Sequence, residues 1–383
     1  MKSNYDLVIV TKECFPEGMA STNRVICYAS EIAKYKRVLL LTVSGPHYGD
    51  KTYLPSKGIF NGIHYEYMGE KTMDQKPIKL YRLIKYLQRR IKLIYTLFFK
   101  VKAKTLILAS LDIRLSIELK ILSTLKRINY YIELSETGEN IKNPIIKYLS
   151  SKIYYLFDGI IVISEGMRKY ASFIKKDSKF FILPALVRED LFKDFSTMNK
   201  ENYFFYCSGS NLERDGFLDS LRAFIEFRKS NTQYKLVVAS KINLSDPYHK
   251  KVNEIMNQHL DSITYLGQIL SFDIPQYLMK ATALLVTPHK NYVTRGFPTK
   301  LTEYLISGTP VICTSIDDLK TELGNDNVYM VSPNDISAIK NAMLDIVSNK
   351  NKAQKIGLNG RNFAINKFTM RNYVQALMTF LKL

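Results

Sequence analysis

GFPTKLTEYLISGTPVICT, residues 296–314, is the stretch whose reading decides the fold. Gly296 permits an unusual backbone angle, and Pro298 suits the first turn of a helix. From Thr299 to Ser307 the residues favour a helix. Gly308 stops it, and Pro310 leads into Val311–Cys313, an apolar run that reads as a strand. A loop feeding a helix N-terminus presents free N–H groups to an anion, and the diphosphate of a nucleotide is a natural one. Glu303 lies about one turn further in, where a carboxylate accepts hydrogen bonds from two neighbouring ribose hydroxyls. Taken alone, the stretch also fits an ordinary capped helix between strands, with Glu303 solvated.

Outward from this unit, short apolar runs alternate with longer stretches of helical period. Strands are predicted at Leu7–Val10, Val38–Val43, Leu106–Leu108, Tyr130–Leu134, Ile160–Ile163 and Phe180–Leu183. A second series follows at Tyr203–Tyr206, Leu236–Ala239, Ser262–Leu266, Ala283–Val286, Val311–Cys313 and Val328–Val331. Many of these lack polar alternation, as parallel strands covered on both faces do. At 383 residues the chain exceeds what one core usually holds, so two doubly wound α/β halves are expected. The seam falls around Pro184–Asn202, giving domains 1–185 and 186–366. The terminal segment Lys367–Leu383 reads as an amphipathic helix that crosses back onto the first half.

Composition narrows the class. Four scattered cysteines, Cys14, Cys27, Cys207 and Cys313, lack the spacing of a zinc site or a disulfide framework and fit a reducing cytoplasm. The apolar run in MKSNYDLVIVTKE is too short for a signal peptide, and no window of about 18 uninterrupted apolar residues exists. The expectation is a soluble or peripheral protein. Its net charge of +20 calls for a polyanion, an anionic membrane or a solubility role.

Several segments together resemble the retaining family-four glycosyltransferases of GT-B fold. GFPTKLTEYLISGTPVI resembles the donor signature of a branch reading GFP-x-K-L-x-E-Y-L-x-x-G-x-P-V-I. PEGMASTNRVICYASEIA, with Gly18 and Arg24, resembles that family's first loop and helix. FDGIIVISEGMRKY, ILPALVREDLF and YCSGSNLERDGFLDSLRAF resemble, in order, its late first-domain turn, interdomain segment and second-domain start. The resemblance implies two Rossmann-like domains facing across a deep cleft and transfer from a UDP- or GDP-sugar with retained configuration. It also implies site residues. Glu303 matches the ribose-binding glutamate. Gly296, Phe297, Pro298 and Thr299, followed by Lys300 and Leu301, match the donor loop and helix start. Arg214 takes the place of the basic residue that neutralises the diphosphate, which suits the forked guanidinium. Gly209 and Gly216 let the backbone approach phosphate. Gly18 does so from the first domain with help from Arg24, which equally fits a surface position on its helix.

Two departures from the family stand out. Arg295 occupies the position where many relatives carry a glutamate that contacts the transferred sugar, which leaves the sugar open. None of the five histidines lies between residues 65 and 248, where relatives place a cleft histidine; IELSETGEN offers Glu133, Glu136 and Glu139 instead. Glu136 is the leading candidate as a base or acceptor-steering group, and equally fits a helix-capping role. No Asp-x-Asp occurs, so metal is not expected; Arg214, Lys300 and the helix end would neutralise the leaving diphosphate. No cofactor beyond the nucleotide-sugar is expected. A nucleotide-sugar 2-epimerase of similar fold is the rival enzyme, and an inactive nucleotide-binding partner the non-enzymatic rival.

The charge itself is concentrated. From Lys76 to Lys104 there are ten Lys and Arg and no acidic residue. Lys79, Arg82, Lys85, Arg89 and Lys92 recur at helical spacing beside a stripe of Leu80, Leu83, Ile84, Leu87, Ile91, Ile94 and Phe98. Tyr81, Tyr86, Tyr95, Phe98 and Phe99 crowd the same stretch. Such a helix fits either a domain face with solvated cations or an anionic membrane surface. The second reading puts the protein on the cytoplasmic face of the cell membrane, acting on a lipid-linked or oligosaccharide acceptor. No nucleic-acid motif accompanies the charge, so nucleic acid is not an expected partner.

Overall fold

The computed structural model describes residues 2–18, 20–48, 52–69, 79–109, 111–135, 148, 152–193, 199–209, 211–289, 299–315 and 323–383. The chain divides into two compact units, Met1–Leu186 with Met370–Leu383, and Val187–Thr369.

The first unit contains strands β1 (Ser3–Thr11), β2 (Val38–Thr42), β3 (His47–Tyr48), β4 (Thr52–Tyr53), β5 (Lys57–Phe60), β6 (Ile63–Tyr67), β7 (Val101–Leu108), β8 (Asn129–Leu134), β9 (Gly159–Val162) and β10 (Phe180–Ile182). Eight of them form one sheet in the order β10-β9-β8-β7-β1-β2-β6-β5. Leu7, Val8, Ile9 and Val10 are all fully buried, so both faces of β1 are covered, as a central parallel strand requires. Two features escape the reading of apolar runs. β7 begins at Val101 rather than near Leu106, because Lys102 and Lys104 point outward and break the apolar run. The edge pair β5–β6 is antiparallel and turns at Asn61-Gly62, both with positive φ, a tight-hairpin dipeptide present in the sequence.

The C-terminal segment corrects the expected continuous helix. The helix Lys350–Phe368 ends at an extended Thr369, and a shorter helix resumes at Val374–Phe380. Met370, Val374, Leu377, Met378 and Leu381 are buried with Leu7, Ile9, Tyr28 and Leu40 in one core of the first unit. Backbone oxygens of this segment are also tied down. Thr105 donates to the Leu381 carbonyl at 2.9 Å and Tyr131 to the Phe380 carbonyl at 3.0 Å.

The second unit contains β11 (Tyr203–Cys207), β12 (Lys235–Ala239), β13 (Ile263–Gly267), β14 (Ala283–Val286), β15 (Val311–Thr314) and β16 (Tyr329–Val331). They are parallel, in the order β13-β12-β11-β14-β15-β16. Counted from β11, this is third-second-first-fourth-fifth-sixth, the doubly wound order of dinucleotide folds. Successive residues of β11 serve opposite cores: Phe204 packs with Phe217 and Phe224, and Phe205 with Leu301 and Tyr304. The winding reverses between β11 and β14, so the loops after these strands diverge and leave a crevice at their carboxyl ends. In the first unit the equivalent reversal lies between β1 and β7.

Replacing Leu377 by alanine should cost about 3 kcal/mol, the usual range for a fully buried leucine. Chemical denaturation measures this. Wild-type stability in the variant would mean that the terminal helix does not complete the core.

Candidate functional site

The loops after β11 and β14 meet at the reversal of winding. Gly216 has φ of 69°, a conformation that disfavours side chains, and a β-carbon there would be driven into the Thr287 carbonyl oxygen. The expected close approach to phosphate is therefore not what demands glycine at 216; contact between the two loops does. Thr287 donates to the Gly216 carbonyl at 3.2 Å and shares a 2.7 Å bond with Ser220. His289 N–H donates to the Arg214 carbonyl at 3.1 Å, and its ring nitrogen stands 3.0 Å from Asp219. At Gly209 a β-carbon would meet no atom of the described residues within 4 Å.

The helix Thr299–Ile306 is held against this joint. Cys207 N–H donates to the Tyr304 hydroxyl at 2.9 Å, which fixes the helix to the end of β11. Leu301, expected in the donor site, is fully buried and packs into the core under the helix. Lys300 and Arg214, both expected phosphate ligands, come together on Asp215. Arg214 Nε donates to Oδ1 at 2.8 Å, and Lys300 Nζ lies 3.5 Å from Oδ2, which also accepts from Ser208 at 2.6 Å. Burial works to raise the Asp215 carboxyl, but the Lys300 charge and the bonds from Arg214 and Ser208 hold it below the ordinary carboxylate range. Asp215 was not among the residues singled out from sequence; its only signal was its place between Arg214 and Gly216.

Glu303 is half-buried, and among the described residues its carboxylate has no hydrogen bond or ion pair. Burial pushes it up to about 7, with the charges of Lys300 and Arg188 only partly offsetting that rise. A half-buried carboxylate with no partner among the described residues, at the mouth of a sheet, is a candidate ligand residue.

Residues 188–363 match the family described as Glycosyl transferases group 1. The match spans nearly all of the second unit. A search by sequence among curated proteins finds no match. By structure, the chain is similar to sucrose-phosphate synthase from Thermosynechococcus elongatus, with TM-score 0.73, 14% identity and 98% of each chain covered. It is similar to Anabaena HepE in complex with UDP-glucose, with TM-score 0.70 and 14% identity over 98% of this chain and 99% of that one. It also resembles a glycosyltransferase from Rickettsia africae, with TM-score 0.69 and 14% identity over 98% of each chain. The fold is GT-B, with two Rossmann-like domains.

Outside the matched residues, the first unit places its expected residues differently. Arg24 is buried, not on the surface, and its guanidinium is taken up within the unit. It pairs with Glu133 and donates to the carbonyls of Pro184 and Leu183. Gly18 is required by packing, since a β-carbon would strike Thr22 Oγ1, which donates to the Cys14 carbonyl at 2.8 Å. Glu136, Arg295, Gly296, Phe297 and Pro298 lie outside the described residues, as does the side chain of Thr299. Among the described residues no group of three or more His, Cys, Asp or Glu is arranged to hold a metal ion.

The basic helix Lys79–Tyr95, continued by a π-helical turn to Lys100, is oriented opposite to a simple domain-packing helix. Arg90, Leu93, Thr96 and Leu97 are buried, and Arg90 pairs with Glu118 on the helix Ile113–Lys126. Leu83, Ile84, Leu87, Ile91, Tyr95, Phe98 and Phe99 are exposed, Ile91 to 69%. The neighbouring helix adds an exposed row of Ile117, Ile121 and Leu125 at four-residue spacing. Of the expected membrane cations, Lys92 donates to the Tyr67 carbonyl at 3.1 Å and Lys85 lies over the Tyr81 ring. Arg89 is partly buried, and the side chains of Lys79 and Arg82 are not among those described. Among the described residues no helix is long and apolar enough to cross a membrane.

The raised Glu303 carboxyl sets a pH test. Its ordinary value is 4.5 and its folded value about 7, so the folded state binds the extra proton between these limits. Stability therefore falls as pH rises through this window. Glu303→Gln should melt with the wild type near pH 4.5 and at higher temperature above pH 7. Melting curves that differ equally at both pH values would refute the assignment.

Proposed function

We propose that the chain transfers a sugar from a UDP- or GDP-sugar to a glycan acceptor with retained anomeric configuration. The observation that carries this is the carboxylate of Glu303, one turn inside the helix at the winding reversal, which feels the charge of Lys300 and has no hydrogen bond or ion pair among the described residues. In this reading Glu303 accepts hydrogen bonds from the ribose hydroxyls. The two terminal guanidinium nitrogens of Arg214, which have no partner among the described residues, bind the diphosphate. Lys300 neutralises the charge that develops as the bond from anomeric carbon to phosphate oxygen breaks, and no metal is needed for that step. Gly209, open on its side-chain face, fits a backbone approached closely by phosphate. HepE, whose structure contains UDP-glucose, supports a nucleotide-sugar donor.

The acceptor is proposed to be lipid-linked, held by the first unit at the cytoplasmic face of the cell membrane, in surface polysaccharide synthesis. Two adjacent helices turn ten large apolar side chains to the outside, seven from residues 83–99 and three from residues 117–125. Exposed apolar rows of this kind mark an interaction surface, and the cations around them select an anionic lipid face.

Incubation with radiolabelled UDP- and GDP-sugars and a lipid extract should move label into lipid. Glu303→Ala should weaken donor binding about tenfold, the scale of one charged hydrogen-bonded contact. Formation of a 2-epimerised sugar nucleotide, or binding without product, would select the rival functions instead. In a flotation assay the protein should bind anionic liposomes more than neutral ones, and Ile91→Glu with Ile121→Glu should abolish that binding. Equal binding to both kinds of liposome would refute membrane docking.

A further inference from the structure

The geometry points to Asp215 as a resident counter-ion of the donor phosphate site, one that stays in place beside the incoming diphosphate and speeds its departure. This rests on the donor reading of Arg214 and Lys300 given above. Asp215 touches both cations at once, through Oδ1 to Arg214 Nε at 2.8 Å and through Oδ2 to Lys300 Nζ at 3.5 Å. Its backbone is pinned from below, because the buried Tyr206 hydroxyl donates to the Asp215 carbonyl at 2.9 Å. Ser208, itself buried, holds the second carboxylate oxygen. The carboxylate therefore cannot swing away when another anion arrives.

The manner of each contact is informative. Among the described residues Arg214 is engaged through Nε alone, and its side chain is half exposed, so its forked end faces outward. Lys300 is engaged beyond hydrogen-bond length, a contact easily exchanged for a phosphate oxygen. With its carboxyl held below the ordinary range, Asp215 stays ionised at neutral pH. Two cations and one fixed anion leave this cluster with a single net positive charge. A nucleoside diphosphate bound there gains the attraction of both cations and meets the repulsion of a neighbouring carboxylate. The result is a site that stays ordered when empty and holds its diphosphate product loosely.

Asp215→Asn keeps the shape and an oxygen for Arg214 Nε but removes the charge. Isothermal titration with UDP and with GDP should give about tenfold tighter binding in this variant and a steeper loss of affinity with added salt. In turnover assays KM and kcat should fall together, because product leaves more slowly. Asp215→Ser is the second variant and should tighten binding in the same direction. A carboxylate that only braced the loop would give the opposite result, weaker binding in both, and equal or weaker binding would overturn the counter-ion role. Failure of both variants to fold would overturn it as well, making Asp215 a structural brace. If the wild type bound neither UDP nor GDP, the donor reading would fall first and this role with it. Binding by the wild type without tightening in the variants would sink the counter-ion role alone.

Discussion

The joint between the loops after β11 and β14 governs the geometry of the second unit. Gly216 sits beneath the Thr287 carbonyl at a distance that no side chain tolerates. Thr287, Ser220, His289 and Arg214 then tie the two loops by hydrogen bonds. Because β11 and β14 flank the reversal of winding, this contact fixes the rim of the crevice rather than a remote edge of the sheet. The Tyr304 bond to the end of β11 adds the helix that carries Lys300 and Glu303. Charged side chains from two segments, the loop after β11 and the helix, thus take their positions from contacts buried below them.

The two units handle ionised groups in opposite ways. In the first, Arg24 and Glu133 are sealed in the interior, and the remaining guanidinium donors go to the carbonyls of Leu183 and Pro184. Such a buried pair is costly to break from one side, since the surviving partner would be left as a bare charge away from water. It fastens the last residues of the first unit before the chain passes into the second. In the second, Arg214, Asp215 and Lys300 are only partly covered, and the terminal guanidinium nitrogens of Arg214 have no partner among the described residues. The same residue types serve as a bolt in one place and as an open contact surface in the other.

Much of the fold was legible because its strands are buried on both faces. Runs such as Leu7–Val10 and Ala283–Val286 announce themselves without any partner in view. Lys102 and Lys104 hid the start of β7, since an alternating edge segment looks like a charge run in sequence. The hairpin at Asn61-Gly62 had a readable signal, but its short strands alternate in burial. Around the crevice, Arg214, Lys300 and Glu303 were singled out through the motif that surrounds them. Asp215 was not, because an acidic residue beside an arginine carries no message until it is also seen against a lysine from a distant helix. Arg24 was misplaced for a related reason: sequence cannot distinguish an arginine that faces water from one whose partners lie about a hundred residues away.

The contribution of Met370–Leu383 to the first unit bears on the order in which the protein is made. A ribosome finishes Val187–Thr369 before it reaches the residues that fill the space beside β1 and beneath Tyr28. The unit that begins first is therefore the last to have all of its core. Until then Leu7, Ile9 and Leu40 lack their terminal neighbours, and the nascent chain carries exposed apolar surface through the whole synthesis of the second unit. Vectorial folding, which normally runs from the first domain to the last, here ends where it started.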